Sequence, residues 1–578
     1  MLWLSLGVLG LLVVCAVAWI GIRALMLRTE LDAAVRNATE LRGQLEASDL
    51  GGAQRSAGGL AEHARVAAEL TGDPIWHIAE VIPAVGPNLT AARVVSSELD
   101  HLSRAAITPT LAMATDLASL RFKGGLDLDA LTRAATRLHR SLAVVADAHR
   151  AVGSLDAGAL VGPLRDGVDR LEESLTRVEP LIRDAALAAG TLPTVLGSDG
   201  PRSILVMVQN GAELRTAGGL TGTFAEIRAD HGRLQIVDQA SSSDFPWLEK
   251  PIIALPASVS SMLNDAVGRY VMNISSPSDF TESAQLASAW WSMRTGHTPD
   301  TIVSVDIRVL GAVLAVIGPV DVKDWGELTT DNLVQRILVD PYRSLDSWSQ
   351  DVVFRRAVDA VFARALQTTF DPSALVARLS GPISEGRVSI WSADPEVESV
   401  VADGAFAGTL ARQKQVGDDA FAVYLNDVTG AKMDTYLDVN IASGVAECRA
   451  DGLRDITIGV TLTNTAPGDA GSIYPVSVTG GGLWGVAPGN IGTLVGVSAP
   501  PGTFIGGVTR AGEHVRSIST DVDDYPLTQT RVELAPGQSA TVEFHFVAAH
   551  AGDVTPRILH TPLIDDPEVT QSSPARCR

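Results

Sequence analysis

The sequence predicts a multidomain α+β protein: an N-terminal transmembrane helix, a helical bundle or stalk, an α/β core and a C-terminal β-sandwich. Three observations predict it. The run from Leu2 to Ile22 is apolar and carries no charged side chain. Apolar residues then recur at helical spacing over residues 27–195. After Pro201 short apolar runs alternate with helical stretches, and from about residue 420 the pattern becomes alternation with period two.

A run of about 20 apolar residues is long enough for a helix to cross roughly 30 Å of hydrocarbon. A cleaved signal peptide would carry a basic leader and a shorter apolar core. Here no basic residue precedes Leu2, and Arg23 and Arg28 follow the run. Residues 1–26 are therefore read as an uncleaved anchor. Read strictly, the positive-inside rule makes the Arg23 side cytoplasmic, but that rule weakens for long translocated domains. Cys15 lies inside the run, and Leu12-Val13-Val14 before it lacks the small residue of a lipid-attachment site, so it reads as a lipid-facing thiol.

In the helical region, 27–195, Leu31, Val35, Ala38, Leu41 and Leu45 recur as a buried stripe does. Leu164, Val168, Leu171, Leu175, Val178 and Leu181 repeat the pattern, with Gly162-Pro163 as a helix start. Turns are expected at Gly51-Gly52, Gly58-Gly59, Asp73-Pro74, Gly86-Pro87 and Gly124-Gly125. Antiparallel helices packed as a bundle or stalk follow, with homo-oligomerisation through the stalk as a further expectation.

The α/β core is expected over 196–418. The run Ile204-Leu205-Val206-Met207-Val208 reads as a buried strand. Two strands, 224–228 and 234–237, flank Asp230-His231-Gly232 as a hairpin turn. Helices are expected at 280–295 and 352–369, and strands at 301–305 and 388–391. The sandwich is expected over 419–564, where segments such as Ile456-Thr457-Ile458-Gly459-Val460-Thr461-Leu462 alternate apolar and polar. Residues 565–578 read as a loose tail unless Cys577 holds it.

With 45 basic and 67 acidic residues the net charge is −22, and no basic cluster offsets it, which excludes a nucleic-acid partner. Three cysteines exclude a disulfide scaffold. Cys448 and Cys577 pair if the compartment is oxidising, or remain two free thiols. The Ala, Arg and Gly bias with few Lys is that of a GC-rich bacterial genome.

No HExxH, P-loop, GxSxG or CxxC occurs, and the eleven histidines lack metal-ligand spacing. His77 beside Trp76 reads as packing, and Ser241-Ser242-Ser243-Asp244 as a polar loop without a base. The strongest polar set is Gln209, Asn210, Glu213, Arg215, Gly218 and Gly219, leaving the end of a buried strand, where ligands of open α/β sheets gather. Arg215 could grip a phosphate or carboxylate, and the glycines admit an anion to the backbone. Alternatively Glu213 pairs with Arg215 or another cation and braces a Gly-rich turn. A second set, Tyr424, Asn426, Asp427, Lys432 and Asp434, reads as an interdomain hydrogen-bond network.

Four blocks carry a family resemblance. They are Gln209-Asn210-x-Ala212-Glu213-Leu214-Arg215-x-x-Gly218-Gly219, Val305-Asp306 through Gly318-Pro319-Val320, Gly386-Arg387-Val388-x-Ile390-Trp391-Ser392, and Tyr424-Leu425-Asn426-Asp427-x-Thr429-Gly430-x-Lys432-Met433-Asp434. Over about 195–550 the chain is similar to the actinobacterial domain-of-unknown-function 4012 family. That resemblance implies a membrane anchor, a bacterial envelope setting with the bulk of the chain outside the plasma membrane, and no established activity. The core is also similar, more remotely, to LytR–CpsA–Psr proteins. Those transfer glycopolymers from polyprenyl-pyrophosphate carriers to the cell wall with Arg and Asp residues and a divalent metal. Under that likeness Arg215 acts with Asp244, Glu213 and Asp306, and magnesium is the cofactor. The chain departs from the pattern: Leu220-Thr221-Gly222 stands for Arg-Ser-Asp, and Ser242-Ser243-Asp244 for Pro-Arg-Asp. Losing those charges removes stabilisation that phosphoryl transfer relies on. The primary expectation is a non-catalytic binding or assembly factor for envelope glycan, lipid-linked carrier or protein, with no cofactor. A glycopolymer phosphotransferase is the alternative.

Overall fold

The computed structural model describes residues 2–47, 49–83, 85–119, 126–370, 372–402, 404–446 and 449–571. The chain forms two compact units, one of residues 1–120 and 127–193, the other of 121–126 and 194–578.

The first unit is helical: α1 (Leu2–Glu46), α2 (Leu50–Thr71), α3 (Pro74–Ala79), α4 (Gly86–Leu102), α5 (Thr108–Ser119), α6 (Leu128–Gly153) and α7 (Gly162–Val195). Asp73 caps α3 by accepting from the Ile75 amide, and Gly86 and Gly162 open α4 and α7. Gly51-Gly52 and Gly58-Gly59 are not turns; they lie inside α2. There small residues let α1 approach: a Cβ on Gly59 would sit 2.4 Å from the Asn37 side chain. The buried stripe of α1 also differs from the expectation. Leu27, Ala34 and Leu41 are buried, whereas Val35, Ala38 and Leu45 face outward. Packing against α2 and its neighbours covers the face that returns every seven residues. In α7, Val168 and Leu175 are buried, Val178 is exposed, and the Leu181 side chain lies outside the described residues.

No helix, judged on its described residues, is long and apolar enough to cross a membrane. The side chains of residues 2–10, 12 and 13, half of the expected Leu2–Ile22 span, lie outside the described set. So do Gly124-Gly125, Cys448 and Cys577. From Arg23 onward α1 belongs to the bundle: Arg23 donates to Leu70 O at 2.7 Å and lies 3.3 Å from Asp73.

The second unit holds a five-stranded sheet in the order β3-β2-β1-β4-β7. Its strands are β1 (Arg202–Asn210), β2 (Leu220–Asp230), β3 (Arg233–Ser241), β4 (Thr301–Val305) and, after the small ribbon β5 (Val320–Val322) and β6 (Gly326–Leu328), β7 (Val388–Ser392). Among the described residues of this sheet, only β1 and β4 pair in parallel. At the β2–β3 hairpin His231 and Gly232 both take positive φ, 46° and 78°, as a two-residue turn matched to strand twist requires. The short helices α8 (Ala257–Leu263) and α9 (Ala266–Arg269) precede α10 (Phe280–Thr295). On one face Leu205, Met207 and Phe224 pack against Trp290 and Trp291 of α10. The other face meets α11 (Ile307–Ile317) and, past α12 (Asp340–Ser344), α13 (Ser347–Gln367). Ser241 and Gln239 of β3 donate there to Asp351 and Asp359 of α13.

The remainder is a sandwich of two sheets. Its strands are β8 (Ala420–Asp427), β9 (Leu437–Ala446), β10 (Asp455–Asn464), β11 (Ile491–Ser498), β12 (Phe504–Arg510), β13 (Glu513–His514), β14 (Ile518–Val522), β15 (Tyr525–Leu534), β16 (Ser539–Val547), β17 (Arg557–His560) and β18 (Glu568–Gln571). The sheets run β13-β12-β16-β10-β9-β18 and β14-β15-β11-β8-β17. Ile456, Ile458, Val460 and Leu462 of β10 enter the core, as their alternation requires. The expected tail from Asp565 instead carries β18, which pairs in parallel with β9 through Gln571. Open backbone groups on the edge of β9 supply the reason. Leu214, from the loop after β1, and Leu563, from the C-terminal segment, both sit inside the sandwich core. Burying a leucine contributes about 1.5–3 kcal/mol, so these two side chains tie the mixed sheet and the sandwich into one body.

Candidate functional site

The loop between β1 and β2 is where the sequence concentrates its polar side chains, and the fold closes over it. Gly219 is required by the chain itself: a Cβ there would lie 2.3 Å from the Asn210 carbonyl carbon and oxygen. Gly218, at φ 119°, lies under Pro562, and Gly211 lies under Ile564. The backbone that a ligand would approach is covered by the C-terminal segment.

Arg215 is 6 % exposed. Its guanidinium donates to Glu213 at 2.7 Å, to Asn273 Oδ1 at 2.8 and 3.1 Å, and to Leu214 O at 2.7 Å. Lys432 of the sandwich donates to the other Glu213 oxygen and stands 5.4 Å from the Tyr342 ring centre. Asn210 donates to the Tyr342 hydroxyl at 2.5 Å and accepts from the Ala212 amide at 3.0 Å. Gln209 donates to Ser304 Oγ at 2.9 Å.

The loop's backbone pairs with the end of β8 and the turn beyond it. The amides of Asp427 and Asp434 donate to Leu214 O and Ala212 O at 2.9 and 3.1 Å. The Asp434 carboxyl accepts from the Leu214 amide at 2.7 Å, and Asn426 exchanges two bonds with Thr216. Tyr424, also on β8, donates to Gln413 at 3.2 Å. Asn210, Glu213 and Arg215 of the first set and Asn426, Asp427, Lys432 and Asp434 of the second thus form one hydrogen-bonded junction, while Gln209 and Tyr424 bond to Ser304 and Gln413.

The junction holds three buried carboxyls against two cations. Burial alone would raise Glu213, but Lys432 and Arg215 outweigh it and hold the group below the usual carboxylate range. Asp427 is pushed up to about 6 by burial and by the negative charge of Glu213. Asp434 is raised well above the ordinary value by burial and by Asp427. The signs oppose. The stabilisation from Glu213 is present above pH about 4.5 and is lost as pH falls through its depressed value. The raised aspartates favour the folded state below pH about 4, and that advantage is lost as pH rises through about 6 for Asp427. Each unit by which a folded value exceeds the unfolded one corresponds to about 1.4 kcal/mol. Asp434→Asn is expected to flatten the fall in stability as pH is raised from about 4 to 8. Urea titrations of the two proteins across that range check it; parallel pH profiles would refute the assignment.

Asp244 and Asp306 leave the same end of the sheet, after β3 and β4, but engage partners of their own. Asp244 accepts from the Ser241 amide at 2.8 Å and lies 3.5 Å from Arg355. Asp306 caps α11 through the Arg308 and Val309 amides and pairs with Arg387 at 2.8 Å. Glu213, Asp244 and Asp306 each answer a different cation, so they do not fit the shared magnesium ion of a transferase. Among the described residues no three His, Cys, Asp or Glu side chains stand close enough to hold a metal ion. Asn273, Tyr342 and Arg387 complete these networks and were not singled out by sequence. Arg387 at least lies in a block that carries the family resemblance; Asn273 and Tyr342 leave no local signal.

By architecture the second unit is a mixed five-stranded sheet locked to a β-sandwich through a buried polar junction. Residues 199–342 match the family model described as Protein of unknown function (DUF4012). The matched segment runs from β1 to Tyr342, holds Asn210, Glu213, Arg215 and Asn273, and supports that family for this part of the chain. No curated protein matches the chain.

Proposed function

We infer that this chain is a single-pass, membrane-anchored protein of a bacterial, and by family resemblance actinobacterial, cell envelope. Its bulk lies outside the plasma membrane, and it acts as a non-catalytic binding or assembly factor for envelope glycan, lipid-linked carrier or protein. One observation carries the non-catalytic reading: Arg215, the residue best placed to grip a phosphate, is buried and directs its donors to Glu213, Asn273 and the Leu214 carbonyl. The likeness of the core to LytR–CpsA–Psr proteins then concerns fold, and fold alone does not carry function. For the anchor, the support is the apolar run of the sequence and the outward-facing Leu11, Val14, Val17 and Ile22 of α1. Oligomerisation through the stalk remains part of the proposal.

The test is a pair of measurements on the detergent-solubilised full chain. With a polyprenyl-pyrophosphate-linked glycan and magnesium, no glycan transfer with release of the polyprenyl phosphate product is expected. Arg215→Ala is expected to cost about 3–5 kcal/mol of stability, as removal of one partner from a buried ion pair does. Metal-dependent turnover by the parent protein, abolished in an Arg215→Ala variant of unchanged stability, would overturn the reading.

A further inference from the structure

The opposite end of the same sheet is open. Where β1 and β4 begin, a cleft of about 880 Å³ opens beside the end of α10. Small-molecule sites occupy about 300–1,000 Å³. Its floor is Glu226 of β2, a carboxylate only 4 % exposed. Glu226 accepts from Ser203 Oγ, from Trp291 Nε1 at 3.2 Å and from His297 Nε2 at 2.6 Å. His297 is its one charged-type partner among the described residues.

The chain goes out of its way to place that histidine. Gly296, at φ 84°, ends α10 with a left-handed residue and turns His297 back across β2. The carboxylate takes one ring nitrogen, Nε2, and leaves Nδ1 to face the cleft on a ring that is half exposed. The walls add guanidinium groups. Arg294 is held by Asp238 and stacked on Trp291, and Arg202 is shared at 3.3 and 3.7 Å between Asp300 and Asp394. Arg228 is largely unengaged: its carboxylate contact is Asp230 at 4.0 Å, and its side chain is 55 % exposed. Three arginines and a histidine line the cleft against Glu226, Asp238 and Asp300, and Arg228 is the arginine those carboxylates leave open. An ion-pair brace for the strand ends would account for Arg202 and Arg294. It accounts neither for Arg228 nor for a histidine held by a buried carboxylate.

We propose that this cleft binds a soluble sugar phosphate, with Arg228 taking the phosphate and His297 Nδ1 hydrogen-bonding to a sugar hydroxyl. The polar lining suits a hydroxylated body and gives no bed for an acyl chain. The site is independent of the Arg215 junction and goes beyond the role inferred above.

Calorimetric titration of the full chain with glucose 1-phosphate, inorganic phosphate and glucose tests the proposal. Glucose 1-phosphate is expected to bind at least about tenfold tighter than phosphate, and glucose not measurably. Arg228→Ala is expected to weaken glucose 1-phosphate about tenfold or more, consistent with loss of a charge-assisted hydrogen bond. His297→Gln keeps a donor for Glu226 and is expected to weaken the sugar phosphate about fivefold while leaving phosphate unchanged. Thermal melts of both variants matching the parent show that the loss is local. Absence of glucose 1-phosphate binding, or binding that neither variant changes, overturns the proposal.

Discussion

Glu213→Gln is expected to destabilise the second unit by about 3–5 kcal/mol. The parent carboxylate answers two buried cations, Arg215 at 2.7 Å and Lys432 from the sandwich. A neutral amide keeps the shape but removes the carboxylate that both Arg215 and Lys432 address. Breaking a buried pair from one side is costly because the remaining charge is uncompensated. The same substitution removes the negative charge that helps raise Asp427 and Asp434, so both become easier to ionise. Denaturant unfolding of parent and variant at pH 7 measures the loss. A second variant, Lys432→Met alone and with Glu213→Gln, gives the coupling between the two sites; additivity would show that the lysine is not bonded to the glutamate. A loss below about 1 kcal/mol in Glu213→Gln would place the pair in solvent rather than in the junction.

Arg387→Ala is expected to cost a comparable amount, about 3–5 kcal/mol, and to loosen the C-terminal segment. Arg387 is 1 % exposed and reaches Asp306 at 2.8 Å, Asp566 at 2.9 Å and Glu385. It therefore joins the cap of α11 to the segment that carries β18. Burial works against its charge, but Asp306 and Glu385 prevail and keep the guanidinium firmly protonated. Without it, Asp306 remains as a buried carboxylate and Asp566 loses its anchor. Hydrogen exchange over residues 557–571 is expected to speed up well before the rest of the sandwich does. Uniform exchange in both proteins would mean that the β9–β18 pairing alone holds the segment.

Much of this architecture is legible one element at a time. The alternation in β10 needs only the residues of β10, because side chains of a strand point to opposite faces in turn. The hairpin at Asp230-His231-Gly232 needs only its turn residues. The stripe of α1 shows where this stops. Its sequence offers two apolar faces, and α2 covers one of them, leaving Val35 and Leu45 outside.

The polar loop after β1 shows the same limit at the site. Composition marks it as a Gly-rich, charged turn at a strand end and leaves two uses open, a ligand or an internal ion pair. The partners that fill it come from far along the chain. Lys432 lies 219 residues from Glu213 and Asp434 lies 220 from Leu214, while Pro562 and Ile564 return from the last strands to cover the glycines. Secondary structure is written in spacings of two to four residues, so a single stretch of chain specifies it. Whether a buried arginine is left free for a ligand depends on which distant carboxylates and carbonyls reach it, and packing of the two sheets against each other sets that.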